Sequence, residues 1–383
     1  MLKLPVKNSK LYVFFYHRYV SIRQNYLKVV TFLKWIVGLF SLFKIKGKER
    51  LLFIYDLTFQ PFSIGDFIVA NAAAIAVSEL EKTKQVDILV IFDKNNLTKT
   101  KEFSHVNTDN IYFNISSLLP IAQINQYFSN LLVFDNRFQA DKFILDNIQY
   151  YKVYPNIKLY GMGTYYYWDA LNSIFPRYFD TYGHPPYFIC RNFLNSWVNQ
   201  FFSKNVEGHL PVTINLRNNK NHGQNRNSNL DEWHKFFVYC NSRYNVKFII
   251  ICSINEVDVR WRQSSNVLVA KDFHTFIEHD LALINNSSFH MGSPSGPFNV
   301  ALFGKNPYIM FNFERDHLKL YSSIIEKGNY LSFSFANPLQ MMTLKEETFD
   351  NLLFEFLHIY NNLDHSKIPI SNEVNDEGMV FLR

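Results

Sequence analysis

An aspartate that follows a glycine and precedes a long apolar run, Asp66 in FQPFSIGDF (59–67), joins a candidate strand to a candidate helix. A carboxylate there has two uses. It caps or primes the helix start, or it takes a proton from an acceptor hydroxyl as general base. A second stretch, NLRNNKNHGQNRN (215–227), carries Arg217, Lys220, His222 and Arg226 among asparagines with no acidic residue. Such a cluster neutralises a departing diphosphate, although a solvated polar loop has the same composition; Arg217, at a strand end, is the best placed of the four. The third stretch is the turn-rich GSPSGP (292–297), which leads into a short helix expected over 295–303. There the N–H groups of Ser295 and Gly296, with the hydroxyls of Ser293 and Ser295, suit an anion at a helix start. Glu256, in SINEVD after another apolar run, fits either a ribose hydroxyl or the ordinary preference for acid at a helix start.

What is missing narrows the chemistry. The 383 residues contain no DxD, HExxH, GxSxG or P-loop pattern. No metal bridging donor phosphates is therefore expected, and no cofactor beyond a nucleotide co-substrate. The chain is 48% hydrophobic and 17% aromatic, which excludes a disordered regulator or a collagen-like chain. Its three cysteines, Cys190, Cys240 and Cys252, show no CxxC spacing, so neither a disulfide framework nor a structural zinc site is indicated and a reducing compartment is expected.

The elements that must position these residues read as two rounds of strand and helix. LLFIYDL (51–57), VDILVIF (86–92), NIYF (110–113), LLVFD (131–135) and NIKLYG (156–161) are strand candidates around a helix over 67–82. After a proline-containing linker between 185 and 211 the alternation restarts with strands at 212–217, 247–253, 266–270 and 307–311 and helices over 230–243 and 274–283. Such alternation gives α/β domains with parallel sheets. The expected division is a basic segment 1–50, a first α/β domain 51–205, a second 206–340, and a terminal helix and tail 341–383 whose helix returns to the first domain. Ligands bind such sheets beyond the carboxyl ends of the strands, where all the residues above lie.

The charge is uneven. Residues 1–50 carry eleven Lys or Arg against Glu49 alone, so the overall formal charge of +6 leaves the remainder acidic. Within them YLKVVTFLKWIVGLFSLF (26–43) places Lys28, Thr31, Lys34, Gly38 and Ser41 on one helical stripe. A narrow cationic face beside a wide apolar one suits the plane of an anionic membrane surface, with docking on the protein's own core as the other reading. Nucleic acid is not an expected partner.

Two blocks carry a family resemblance. SIGDFIVANAAAIAVSELEK (63–82) resembles the first loop and helix of the lipopolysaccharide heptosyltransferase family, and DFHTFIEHDLALINNSSFHMGSPSGPFNVALFGKNPYIMF (272–311) resembles its helix, strand, Ser-Gly-Pro loop and Gly-x-x-Pro strand start. NLR (215–217) and NNSSF (285–289) more faintly resemble fucosyltransferases. The resemblance implies a GT-B glycosyltransferase, an α/β protein with two Rossmann-like domains facing across a cleft, metal-independent and inverting. It places Asp66 at the catalytic base and Ser295 and Gly296 in the donor-phosphate loop. Pro294 stands where the family carries an acid, and the family's donor-site lysine falls on Lys220 or Arg226. The implied function is transfer of a hexosyl, heptosyl or fucosyl group from a nucleotide sugar to a glycan, glycolipid or surface-polysaccharide acceptor at the cytoplasmic face of a membrane. A nucleotide-sugar epimerase and a non-catalytic polysaccharide-assembly protein are the alternatives. If 26–43 is a membrane contact, anionic vesicles should sediment the full chain and not a chain lacking residues 1–48; equal sedimentation of both, or of neither, would remove that role.

Overall fold

The computed structural model describes residues 48–58, 60–93, 106–155, 169–220, 224–314 and 322–363. The amphipathic stretch 26–43, His222 and the strand expected at 156–161 lie outside them. Among the described residues no helix is long and apolar enough to cross a membrane.

The chain forms two compact units. One runs to Ala122 and resumes over Tyr127–Thr181; the other takes Gln123–Gln126 and everything from Tyr182 onward. The first contains β1 (Arg50–Asp56), α1 (Ile64–Leu80), β2 (Gln85–Ile91), α2 (Ile111–Ser116), β3 (Phe128–Phe134), α3 (Arg137–Asn147), β4 (Tyr151–Tyr154) and α4 (Phe175–Tyr182). Its sheet is parallel throughout, in the order β3-β2-β1-β4. β1 and β2 are buried along nearly their whole length, the condition of strands covered on both faces, which is why they read as unbroken apolar runs. α1 is buried on almost every side, and its alanines at 70, 72, 73, 74 and 76 let its backbone lie close to its neighbours.

A single carboxylate ties the amino-terminal side of this sheet. Asp87 of β2 accepts from Arg50 Nε at 3.0 Å, Asn130 Nδ2 at 3.0 Å and the Tyr151 hydroxyl at 2.8 Å, so all four strands contribute to one polar cluster. Breaking a buried charge pair by removing one partner costs about 3–5 kcal/mol.

The second unit begins with α5 (Asn192–Asn205) and continues β5 (Leu210–Asn215), α6 (Leu230–Cys240), β6 (Val246–Ile251), β7 (Val267–Val269), α7 (Ile277–Asn286), β8 (Phe289–Gly292), α8 (Asn299–Leu302), β9 (Tyr308–Met310), β10 (Ile324–Lys327), β11 (Tyr330–Phe333), β12 (Gln340–Thr343) and α9 (Phe349–Tyr360). The sheet order is β10-β11-β12-β9-β8-β5-β6-β7, parallel except for the β10 and β11 edge. Its parallel part, taken from β7 to β12, follows the Rossmann order 3-2-1-4-5-6. Trp233, Phe236 and Phe237 of α6 and Phe356 of α9 pack with Phe248 and Phe289 in its largest core.

The α/β class stands, with several local differences. NIYF (110–113) falls in helix α2: Asn107 and Asn110 exchange side-chain to backbone bonds in a turn that starts it, and Ile111 and Ile115, four apart, are its buried residues. The short helix expected over 295–303 is reduced to α8, because 296–298 close a turn first. α5, placed by the sequence reading in the first domain, belongs to the second unit, where Trp197 lies 4.4 Å from His279 and Phe201 5.0 Å from Phe273. α9 packs on α6 in that same core and does not return to the first unit. Strands β10 to β12 were not expected from the sequence.

His290 of β8 is fully buried against Phe298, its Nδ1 2.8 Å from the Thr213 hydroxyl. Burial lowers its pKa from 6.5 to about 3. Below its unfolded pKa the unfolded chain therefore takes a proton that the folded chain refuses, so this contribution is complete above about pH 6.5 and is lost as pH falls toward 3. The melting-temperature gap between the wild type and His290→Asn should narrow on acidification from about pH 7 to pH 4; a constant gap would mean that His290 protonates normally in the fold.

Candidate functional site

The order of the second sheet reverses direction between β5 and β8, and the crevice at the carboxyl ends of such a strand pair is where open α/β sheets bind ligands. Here the end of one strand leaves no room for a side chain against the other. Gly292, the last residue of β8, has φ +136°, and a Cβ built on it would lie 2.1 Å from the carbonyl oxygen of Asn215, the last residue of β5. Only glycine meets both demands. Ser293 N–H then donates to that same Asn215 oxygen at 2.9 Å.

The Asn215 side chain works across the crevice. Its Nδ2 donates to Ile251 O at the end of β6, and its Oδ1 accepts from the Ser295 hydroxyl, both at 2.8 Å. Ser295 and Gly296 are half-buried, and among the described residues their backbone N–H groups carry no hydrogen bond. Ser293 is fully buried: its hydroxyl donates to Glu347 Oε1 at 2.8 Å and lies 2.7 Å from the Ser228 hydroxyl. It therefore supports the loop from beneath and does not face outward beside Ser295 as the sequence reading has it.

The loop after β5 is shaped by reciprocal bonds. Arg217 N–H donates to Ser228 Oγ at 3.1 Å while Ser228 N–H returns to Arg217 O at 2.9 Å, and Asn219 and Asn227 exchange a similar pair. Arg217 is half-buried; burial, then the positive charge of Arg226, lowers its pKa, partly offset by Glu256 and Glu314. Arg226 pairs with Glu314 at 3.4 Å, and Asn225 donates to the same carboxylate at 2.8 Å. Glu256 sits in the turn that follows β6. The structure thus gathers Arg217, Arg226, Glu256, Ser295 and Gly296 around the carboxyl ends of β5, β6 and β8. Lys220, in the same loop as Arg217, is exposed.

Asn215, Ser228 and Glu347 were missed by sequence reasoning. Asn215 had a legible signal, a polar residue at the end of a mostly apolar buried strand. Glu347, 54 residues from Ser293 and within an ordinary polar stretch, had none. It is buried beside the loop, accepts Asn229 N–H at 2.5 Å, and burial raises its pKa against its hydrogen bonds.

In the first unit Asp66 lies in the first turn of α1, half-buried, while the cap itself is Ser63, whose hydroxyl accepts from Asp66 N–H at 3.4 Å. Asp66 is therefore not the capping residue. Tyr55, buried beneath, donates from its hydroxyl to Pro61 O at 2.9 Å and fixes the approach to the helix; burial, and next the Asp66 charge, holds its pKa well above the usual phenol range. Asp56 at the end of β1 is fully buried and pairs with Arg137 at the start of α3, which also donates to the Thr58 hydroxyl at 2.8 Å. Among the described residues no group of three or more His, Cys, Asp or Glu is placed to hold a metal ion.

No family model and no curated protein sequence matches the chain. Solved structures do. A glycosyl transferase family 9 protein from Veillonella parvula is 10% identical, with a TM-score of 0.48 over 82% of this chain and 98% of its own. The E. coli ADP-heptose lipopolysaccharide heptosyltransferase II is 10% identical, with a TM-score of 0.46 over 81% and 98%. An alpha-1,6-fucosyltransferase co-crystallised with GDP is 11% identical, with a TM-score of 0.27 over 68% and 93%. These are the two groups of enzymes that segments 63–82, 272–311 and 215–217 resemble.

The close approach of β8 to β5 gives a direct stability test. Gly292→Ala should lose about 3 kcal/mol or more in urea unfolding, from strained backbone and backbone overlap together. Gly208→Ala, at φ +70° with open space around it, should lose about 1–2 kcal/mol. Equal losses would show that the approach is not tight.

Proposed function

We propose that the chain is a glycosyltransferase that moves a sugar from a nucleoside-diphosphate donor to a lipid-linked or surface-polysaccharide acceptor. The observation that carries the reading is the cluster at the β5/β8 reversal: two guanidinium groups, that of Arg226 paired with Glu314, half-buried small residues with available N–H groups, and the Glu256 carboxylate in the turn after the neighbouring strand. In this reading Arg217, Arg226 and the N–H groups of Ser295 and Gly296 hold the donor diphosphate and stabilise its charge as it leaves. Glu256 accepts from a ribose hydroxyl. The acceptor oxygen attacks the anomeric carbon as the bond to the phosphate oxygen breaks, and Asp66, spared from capping by Ser63, takes the acceptor proton. One displacement of this kind inverts the anomeric centre. The chain supplies its own positive charge, in keeping with a sequence that lacks a DxD pattern. The basic segment 1–50 supports a peripheral position on an anionic membrane surface, where such acceptors reside.

ADP, GDP and UDP tested one by one should include a nucleotide that raises the melting temperature, since a ligand that binds only the native state stabilises it. Asp66→Asn should keep that binding and lose transfer by about 10² to 10⁴. Arg217→Ala should weaken both binding and turnover, because its charge meets the donor before as well as during the reaction. Wild-type transfer by Asp66→Asn would overturn the base assignment; conversion of a nucleotide sugar without acceptor would make the protein an epimerase.

A further inference from the structure

The hydrogen bonds beneath the donor loops have a fixed direction. A carboxylate has no proton to give, so the Ser293 hydroxyl, 2.8 Å from Glu347 Oε1, must donate to it. Ser293 has then used its only proton, and in its 2.7 Å contact with Ser228 it accepts. Ser228 accepts in turn from Arg217 N–H at 3.1 Å. The chain runs one way, from the Arg217 amide through two hydroxyls to Glu347. The other Glu347 oxygen takes Asn229 N–H, the cap position of α6, at 2.5 Å. Asn312 Nδ2 adds a donor to Ser293 at 3.4 Å. Ser293 is fully buried, and Glu347 and Ser228 nearly so.

We infer that Glu347 is a positioning residue for donor binding: as the only acceptor-without-proton in this chain, it sets the direction of the hydroxyls and thereby holds Arg217 and the 293–296 loop in register. The inference rests on the donor reading above. An amide at 347 has the same shape but only one acceptor oxygen. Ser293 O–H and Asn229 N–H donate to the two carboxylate oxygens, and the Trp233 and Asn312 side chains also face the group as donors, so the amide must turn its NH₂ toward at least one donor. If it faces Ser293, the hydroxyls reverse: Ser228 then accepts from both the Ser293 hydroxyl and Arg217 N–H, and its own proton loses the partner it had in Ser293.

The test is a double-mutant cycle on nucleotide affinity, using whichever of ADP, GDP or UDP the wild type binds best. Glu347→Gln should weaken binding roughly 10-fold, and Ser228→Ala, which cuts the chain next to Arg217, by a similar factor. In the Ser228→Ala background, Glu347→Gln should cost less than about twofold more, since coupled neighbours are not additive. A general loosening of the unit would instead give multiplied effects, and that result, or unchanged affinity in Glu347→Gln, would overturn the inference. If Glu347→Gln does not fold, Ser228→Ala alone decides: faster exchange of the Arg217 amide together with weaker binding supports the chain, and an unaltered pair of values refutes it. A wild type that binds none of the three nucleotides fails earlier, at the donor reading itself, and the inference falls with it.

Discussion

The second unit is organised by one close contact, the backbone of Gly292 against that of Asn215. A side chain at 292 would overlap the carbonyl oxygen that Ser293 N–H uses, so the approach and the hydrogen bond that follows it exist together or not at all. β5 and β8 flank the point where the strand order reverses, so this contact lies at the base of the crevice between their loops. Asn215 then reaches both walls, holding the end of β6 with its amide nitrogen and Ser295 with its oxygen. Ser295 is placed by that pair of strand ends, and the Arg217 loop by the bonds of Ser228, Asn219 and Asn227.

The two ends of the strands in the first sheet are tied in different ways. Asp87 gathers Arg50, Asn130 and Tyr151 at the amino-terminal side, one residue from each strand, and fixes their mutual register. The carboxyl side is left to the loops, with Asp56 and Arg137 anchoring the segment that leads into α1. A parallel sheet allows this separation because all its strands point one way: what is done at one end need not constrain the other.

The sequence made the central strands and the turn-rich loops legible for a physical reason. Central parallel strands are apolar along their length, and Gly and Pro punctuate the turns between a strand and a helix. The misreadings came where local pattern and tertiary context disagree. NIYF is rich in strand formers, yet the asparagine turn before it begins a helix. α5 has no local mark telling which unit its Leu194, Val198 and Phe201 will join. Ser293 and Ser295 look alike two residues apart, but a short extended stretch turns one inward to Glu347 and the other toward Asn215. Glu347 was illegible altogether, because its significance lies in what surrounds it across 54 residues of chain.

The buried network beneath the crevice and the charges above it divide the energetic burden. Ordering two loops around a bound anion costs conformational entropy, and a loop that is already fixed avoids most of that cost at the moment of binding. Here the fixing is done by Ser228, Ser293, Asn227 and Glu347, whose bonds are formed within the fold. Half-burial of Arg217 near Arg226 adds an electrostatic cost, visible in its lowered pKa, and an anion placed between such groups would relieve it. On the donor reading proposed above, a site built this way spends stability on folding so that affinity depends on charge and geometry, the arrangement that a leaving group of rising negative charge exploits best.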